Sequence, residues 1–444
     1  MKKFAFLFAA LILMIVGCTD NELIPEPESG SFLKSSNAKI KIAVMSDMHY
    51  MDRTLLPEDI SACPDFQKML VADGYKLTEI SDPIFRAAVA EIKAEKPDIV
   101  LIPGDMSKDG EKLNHEKVRE LLQQFLDDGI MVFVVPGNND INNLTAASYA
   151  NNIAEAVPHI SPSEFVEIYN DCGYEGSERD PNSLSYLSKP FPNLWILGID
   201  ACKYPPSYPK TSRSGLIKPA TLSWIQEVLA DAGDDVTVFA MMHHGIMEHF
   251  QNNITINQGT VLDNWEASSQ VFMDAGIRFV FTGHNHGNDI TELKKDGKIL
   301  TDIETGALTT PVSPFRILVL DDNYMNVETR YIKRIDYPLP ENMGFTKYCD
   351  MAISNRLDLF YKNILSPYFG VSSETANLSA PFVRKATMAQ YCGDENINPV
   401  ETMNIEQLEE TTSVDPKSPY VILAIESFWT DLPPKDNNIH FKLK

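Results

Sequence analysis

Three observations predict an α/β fold built on a parallel sheet with crossover helices. Short apolar runs recur from Lys41 to Leu320, each the length of a strand. Amphipathic stretches at helical spacing separate the first of them. Glycine, Asp, Asn and His stand just beyond the carboxyl ends of run after run.

The elements follow in chain order. Lys41 to Asp47 reads as a buried strand, followed by an irregular stretch to about Ser81. Asp82 is placed as an N-cap with Pro83 at the first helical position. Ile84, Phe85, Ala88, Val89 and Ile92 then share one face, which predicts a helix over 83–96. Asp98 to Pro103 is a short strand. Val118, Leu121, Leu122, Phe125 and Leu126 mark a second helix ending near Gly129, and Met131 to Val135 is a third strand. Strand, helix, strand, helix, strand implies parallel pairing through right-handed crossovers. Further strands are expected at Leu194–Ile199, Val236–Met242, Arg278–Phe281, Ile299–Ile303 and Phe315–Leu320, with helices near 221–231 and 268–275. Two packed sheets covered by helices accommodate this many strands. From about Tyr337 the character changes: 341–368 reads as helical, 371–417 as loop-rich, and Pro419–Leu432 as a last helix. Residues 337–444 are therefore read as a C-terminal extension on a core domain of 39–336.

The first residues bear on the compartment. Lys2 and Lys3 precede an apolar run from Phe4 to Val16, shorter than the roughly 20 residues that span a bilayer. Ile15-Val16-Gly17-Cys18 resembles the lipobox of bacterial lipoproteins. The resemblance implies a signal peptide over 1–17 and a lipidated Cys18 as mature N-terminus; the alternative is an ordinary cleaved signal with a chance cysteine. Residues 18–38 are acidic and Pro- and Ser-containing, the composition of a flexible tether. Acidic residues behind the cysteine resemble the export signal of some outer-membrane surface lipoproteins. The expectation is a cell-envelope protein, periplasm-facing or surface-exposed, that meets the membrane through Cys18 alone.

Formal charge is -24, and losing residues 1–17, with two lysines and no acid, brings it to -26. That balance argues against nucleic acid, whose binding needs phosphates neutralised by Lys and Arg. An anionic substrate would need local positive charge, which metal ions supply. Cys63, Cys172, Cys202, Cys349 and Cys392 are odd in number and widely spaced, with no CxxC pair, so pairing stays open.

Five polar clusters carry the chemistry. The first strand ends Ser46-Asp47-Met48-His49, the second Pro103-Gly104-Asp105, and the third Pro136-Gly137-Asn138-Asn139-Asp140. Later strands end Met242-His243-His244-Gly245 and Gly283-His284-Asn285-His286. Ligands of open α/β sheets bind beyond the strand ends, so the clusters are expected to converge. Asp, Asn and His suit borderline divalent metals such as Mn, Fe, Zn or Ni.

This series resembles the calcineurin-like metallophosphoesterase superfamily, whose motifs read D-x-H, G-D, G-N-H-D/E, a lone His and G-H-x-H. The likeness spans about residues 40–335. It implies a four-layer α/β/β/α sandwich with a dinuclear metal centre at the sheet edge, beside a mainly helical C-terminal extension. It also implies that Asp47, His49 and His286 hold one divalent ion and that Asp105 bridges to a second, completed by Asn138, His243 and His284. His243 is preferred to His244 because the family's ligand follows the strand directly. The implied reaction is hydrolysis of a phosphate ester by a hydroxide shared between the ions, whose charge lowers the pKa of bound water. Small, lipid or glycan phosphoesters are the expected substrates, diesters slightly ahead of monoesters.

One departure stands out. The family's third motif places His after the metal-binding Asn, where it resembles a general acid; here that position is Asn139. An amide donates no proton as an acid, and general acids contribute about 10²–10⁴-fold. Asp140, which would orient that His, is left with local hydrogen bonds, and His244 is the best substitute by position, a supporting or core histidine being the alternative. The competing expectation is a metal-retaining binding lipoprotein without turnover. Lys108 and Asp109 are read as a solvated loop and His249 as a surface histidine. The insertion 50–81, with Tyr50 and Arg53, is expected to overhang the site, and 180–186 to turn into an edge strand.

Overall fold

The computed structural model describes residues 39–443 except 209, 234, 322, 341 and 342. The expected signal, Cys18 and tether lie outside the described residues. Among the described residues no helix is long and apolar enough to cross a membrane, and Cys63, Cys172, Cys202, Cys349 and Cys392 are all free.

In chain order the first elements are β1 (Ile40–Val44), α1 (Pro64–Ala72), α2 (Ser81–Glu95), β2 (Ile99–Ile102), α3 (Lys112–Asp127), β3 (Met131–Val134), the short pair β4 (Ala147–Ser148) and β5 (Glu155–Ala156), and α4 (Pro162–Ile168). Next come β6 (Glu178–Arg179), β7 (Tyr186–Phe191), β8 (Leu194–Ile199), α5 (Pro219–Leu229), β9 (Thr237–Met242), α6 (Asn253–Ile256), α7 (Trp265–Asp274) and β10 (Phe279–Thr282). The hairpin β11 (Ile290–Lys295) and β12 (Lys298–Glu304) leads to β13 (Pro314–Leu320) and β14 (Tyr324–Tyr331). Four helices, α8 (Phe345–Phe369), α9 (Ser373–Cys392), α10 (Pro399–Thr412) and α11 (Ser418–Phe428), precede β15 (Asn438–Lys442).

Two sheets form. One runs β15-β14-β13-β1-β2-β3 and the other β11-β12-β10-β9-β8-β7-β6. The pairs β1–β2 and β2–β3 are parallel, as are β8–β9, β9–β10 and β10–β12. The period of two along β9 and β10 explains the layering. Phe239, Met241, Phe279 and Phe281 share a core with Ile42, Val44 and Leu101 of the facing sheet. Val238, Ala240, Met242 and Val280 instead pack beneath Trp224 and Ile225 of α5 and Phe272 of α7. Crossovers α2 and α3 cover the first sheet through Phe85, Val89, Val118 and Leu122. The result is the helix–sheet–sheet–helix sandwich.

Two expectations need correction. Asp82 is not an N-cap: a 3-10 turn at Thr78–Ile80 runs straight into α2, so Asp82 sits in the first turn. There its carboxylate accepts from Tyr50 Oη at 2.8 Å and Arg86 Nε at 2.9 Å. Residues 371–417 are not loop-rich. Beside Val383 and Tyr391, the buried face of α9 uses Thr375, Ala376, Ser379, Ala380, Ala386, Thr387 and Gln390, mostly small or polar residues that leave only a faint apolar period. Its start is nonetheless capped, Ser372 accepting from Thr375 N–H, and α10 opens with Asn398 accepting from Glu401 N–H before Pro399. After α11 the chain returns as β15 to pair antiparallel with β14.

Candidate metal centre

The five clusters leave the carboxyl ends of β1, β2, β3, β9 and β10 and meet at one edge of the sandwich. Asp47, His49 and His286 bring ligand atoms within 4.8 Å of one another, and Asp105, His243 and His284 do the same. The local backbone is strained to achieve this. Asp47 (φ 52°), His49 (39°), Asp105 (48°), His284 (74°) and His286 (67°) are all left-handed, a conformation costing about 1–3 kcal/mol at a non-glycine residue. Glycine permits the close approach: a Cβ at Gly137 would lie 2.1 Å from Asp105 N and Oδ1, and one at Gly283 2.3 Å from Asp47 Oδ2.

Hydrogen bonds at the far side of two of the four rings decide which of their nitrogens are bare. His243 Nδ1 lies 2.9 Å from the Pro103 carbonyl and His284 Nε2 3.0 Å from that of Gly259. A carbonyl only accepts, so both of those nitrogens carry the proton, leaving His243 Nε2 and His284 Nδ1 as lone pairs. Those lone pairs face each other at 3.0 Å. Asn138 Oδ1 stands 3.1 Å and Asp105 Oδ2 3.3 Å from the same His243 Nε2. In the other group His49 Nε2 and His286 Nε2 are 3.1 Å apart. Asp47 Oδ2 accepts from Ser46 Oγ and His284 N–H, whereas its Oδ1 is buried without a hydrogen-bond partner, 3.3 Å from His286 Nε2. Asp105 Oδ2 is also 3.7 Å from His49 Nε2, so one carboxylate serves both groups. Converging lone pairs repel unless a positive charge, a metal ion or a proton, sits between them. The donor set fits two divalent ions.

Charge and burial act together here. Burial holds the His49 and His284 imidazoles well below the ordinary range, helped by neighbouring cationic groups. Burial would lower His243 as well, but the Asp105 carboxylate beside it lifts it to about 9.

The remaining candidates divide. Asn139 donates from its backbone N–H to Asp105 Oδ1 (2.8 Å) and from Nδ2 to Asp105 Oδ2 (2.6 Å), steadying the shared carboxylate. Asp140 is buried and accepts from Gly137, Ser107 and Met106 N–H groups, tying the loops after β2 and β3 together. His244 does not line the cavity. It is buried, with Nε2 at the Arg213 carbonyl (3.0 Å) and its ring 4.3 Å from that of His284. Burial and the adjacent His243 push its pKa down to about 3. Its ring packs against that of His284.

A cavity of about 430 Å³ opens over the cage, and two sequence readings around it need correction. Lys108 and Asp109 are not a solvated loop: Lys108 is 4% exposed and paired with Asp109, which lines the cavity. His249 is not at the surface but 2% exposed, 2.7 Å from Asp289 Oδ1 and 3.2 Å from Asp302 Oδ2. The buried carboxylates of β12 require that counter-charge. The insertion 50–81 does reach over the cavity, through Asp73, Tyr75 and Lys76, while Tyr50 is core against Phe85 and Arg53 is exposed. Arg213, Asn257, Asn285 and side chains of α8, α9 and α11 also line it. No spacing in the linear sequence pointed to these residues.

Two donor groups sharing a carboxylate at the edge of a two-sheet sandwich define a class of protein with adjacent metal-binding sites. The family model for calcineurin-like phosphoesterases matches residues 40–288, more than half of the chain. The chain belongs to that family. A dimetal phosphatase from Danio rerio is similar in structure at 15% identity and TM-score 0.48, covering 66% of this chain and 96% of that one. A purple acid phosphatase from yellow lupin (Lupinus luteus) is similar at 10% identity and TM-score 0.43, covering 66% of this chain and 52% of that one. No characterised protein in a curated collection matches the sequence.

Proposed function

We propose that the chain hydrolyses phosphate esters, diesters in preference to monoesters, using two divalent ions held by Asp47, His49, Asp105, Asn138, His243, His284 and His286. The observation that carries this reading is the pair of bare-donor groups joined through Asp105. Two bound divalent ions would supply Lewis acidity and an activated water for in-line displacement at phosphorus. The protein's own part is positioning. The Pro103 and Gly259 carbonyls fix two imidazole tautomers, and Asn139 holds Asp105 by two hydrogen bonds. Lys76, 5% exposed and lining the cavity, brings positive charge to a strongly acidic chain. With an amide at 139 no acid protonates the departing oxygen, so good leaving groups turn over faster than poor ones by more than in a His-bearing site. Lipid anchoring through Cys18 in a cell envelope remains part of the proposal and favours extracytoplasmic substrates.

The same Asn139 favours a second reading, a metal-retaining binding protein without turnover. Metal analysis together with hydrolysis of an activated aryl phosphodiester in Mn, Zn or Ni separates them. Turnover that needs metal supports the hydrolase. Full metal loading with no turnover leaves the binding protein.

A further inference from the structure

The cavity over the cage has two unlike ends. At the metal-binding end stand Asp73, Lys76, Asp109 and Arg213, polar groups suited to a phosphate and its ions. The other end is a mainly apolar and aromatic chamber built by the C-terminal helices: Phe360, Ile364 and Leu365 from α8, Tyr391 from α9, Ala424 and Phe428 from α11, with Gln390 of α9 as an uncharged polar group. The two ends are continuous. The Tyr75 ring lies edge-on to His286 at 5.2 Å and to Phe360 at 5.8 Å, so an aromatic wall runs from a ligand imidazole into the chamber. Two lining tyrosines spend their hydroxyls on the protein, Tyr361 with Thr387 Oγ1 (2.6 Å) and Tyr368 on the Ile256 carbonyl (2.9 Å). Their rings, not their polar tips, are left for an occupant.

We infer that the C-terminal helices form the subsite for an uncharged aromatic ester group, so that the substrate class is phosphoesters of bulky aryl-bearing alcohols. This rests on the hydrolytic reading for its chemistry but on the chamber for its specificity. A phosphate with a small ester group occupies only the polar end and leaves the aromatic wall wet. A phenyl group placed against Phe360 and Tyr391 removes apolar surface from water on both sides, an effect worth about tenfold or more in kcat/KM.

The test holds the leaving group constant and varies the other ester, methyl, cyclohexyl and phenyl 4-nitrophenyl phosphates with Mn-loaded full-length protein, and repeats the comparison by binding of methyl-, cyclohexyl- and phenylphosphonate, in which no second aryl group competes for the chamber. The phenyl ester is expected to exceed the methyl ester by at least about tenfold in kcat/KM and to exceed cyclohexyl. Phe360→Ala, which empties the chamber, and Ala424→Phe, which fills it, are both expected to shrink the phenyl-to-methyl ratio. Melting curves confirm that each variant is folded. Calorimetric binding of phenylphosphonate against methylphosphonate gives the same ratio without turnover. No turnover with the binding ratio intact would sink the hydrolytic reading and support the chamber. Turnover with a phenyl-to-methyl ratio near one, in rate and binding alike, would overturn the inference, and cyclohexyl ahead of phenyl would overturn its aromatic part.

Discussion

Replacing Gly137 with alanine tests the cage through a single methyl group. Gly137 has no left-handed φ, so the substitution brings contact and no backbone strain. Its Cβ would lie 2.1 Å from both Asp105 N and Asp105 Oδ1 and 2.7 Å from Asp105 Cα. Non-bonded carbon contacts settle near 3.5–4.0 Å, so Asp105 must retreat by roughly an ångström or more. The obstructing atoms include backbone, which cannot swing aside. Metal–ligand distances tolerate only about 0.2 Å, and Asp105 serves both groups, so both sites fail together. Overpacking costs about 1–3 kcal/mol. Lost metal linkage removes about 2.7 kcal/mol more for each ion when free metal stands at a hundred times Kd. The assay is metal content by mass spectrometry after dialysis, with thermal melts in and out of added Mn. Gly137→Ala is expected to hold less than one ion per chain and to lose the metal-induced rise in Tm. Gly233→Ala, whose Cβ would meet nothing within 4 Å, is expected to behave as wild type. A Gly137→Ala protein that keeps two ions and the full rise in Tm would refute the close-approach argument.

Three further outcomes are expected. Asn139→Ala removes the 2.6 Å hydrogen bond on Asp105 Oδ2 and should weaken metal binding about 10–100-fold; unchanged affinity in a chelator competition would deny Asn139 that role. His249→Ala leaves Asp289, Asp302 and Glu304 without their counter-charge and should cost about 3–5 kcal/mol in denaturant unfolding, whereas a loss under 1 kcal/mol would contradict it. Burial alone would lower the His249 pKa, but Asp302 and Glu304 raise it well above the ordinary value. A raised folded-state pKa contributes stability that is complete below the unfolded value of about 6.5 and lost as pH climbs through the folded one. Wild-type stability should therefore decline on the alkaline side with a slope that His249→Ala lacks; equal slopes would argue against a charged His249.

The metal cage was legible because each of its clusters follows a short, mainly apolar strand, and four of the five are punctuated by a glycine or proline. Parallel topology then forces such ends together. Gly104, Gly137 and Gly283 stood out in the chain, and their spacing to Asp105 and Asp47 is what the fold uses. The reach of Tyr75 and Lys76 was not legible, since a long irregular insertion has no period to say which side chain turns inward. The roof was hidden for a different reason. Helix α9 buries mainly Ala, Ser and Thr against its neighbours, with Val383 and Tyr391 its large apolar contacts, so the packing left little pattern, although the caps at Ser372 and Asn398 were there to be read. Strands β11 and β12 flank Asp296-Gly297, both with positive φ, the type of turn that joins a two-residue hairpin. That signal was available and unused. His249 illustrates the limit of local reading: the carboxylates that bury it are 40 or more residues away in the chain.

The most direct measurement is an anomalous-difference crystal structure of the protein loaded with Mn. The account predicts two peaks about 3.5–4 Å apart, with Asp105 contacting both, His49 and His286 on one, His243 and His284 on the other. A single peak that Asp105 does not touch, or no peak within reach of His243 and His284, would contradict it.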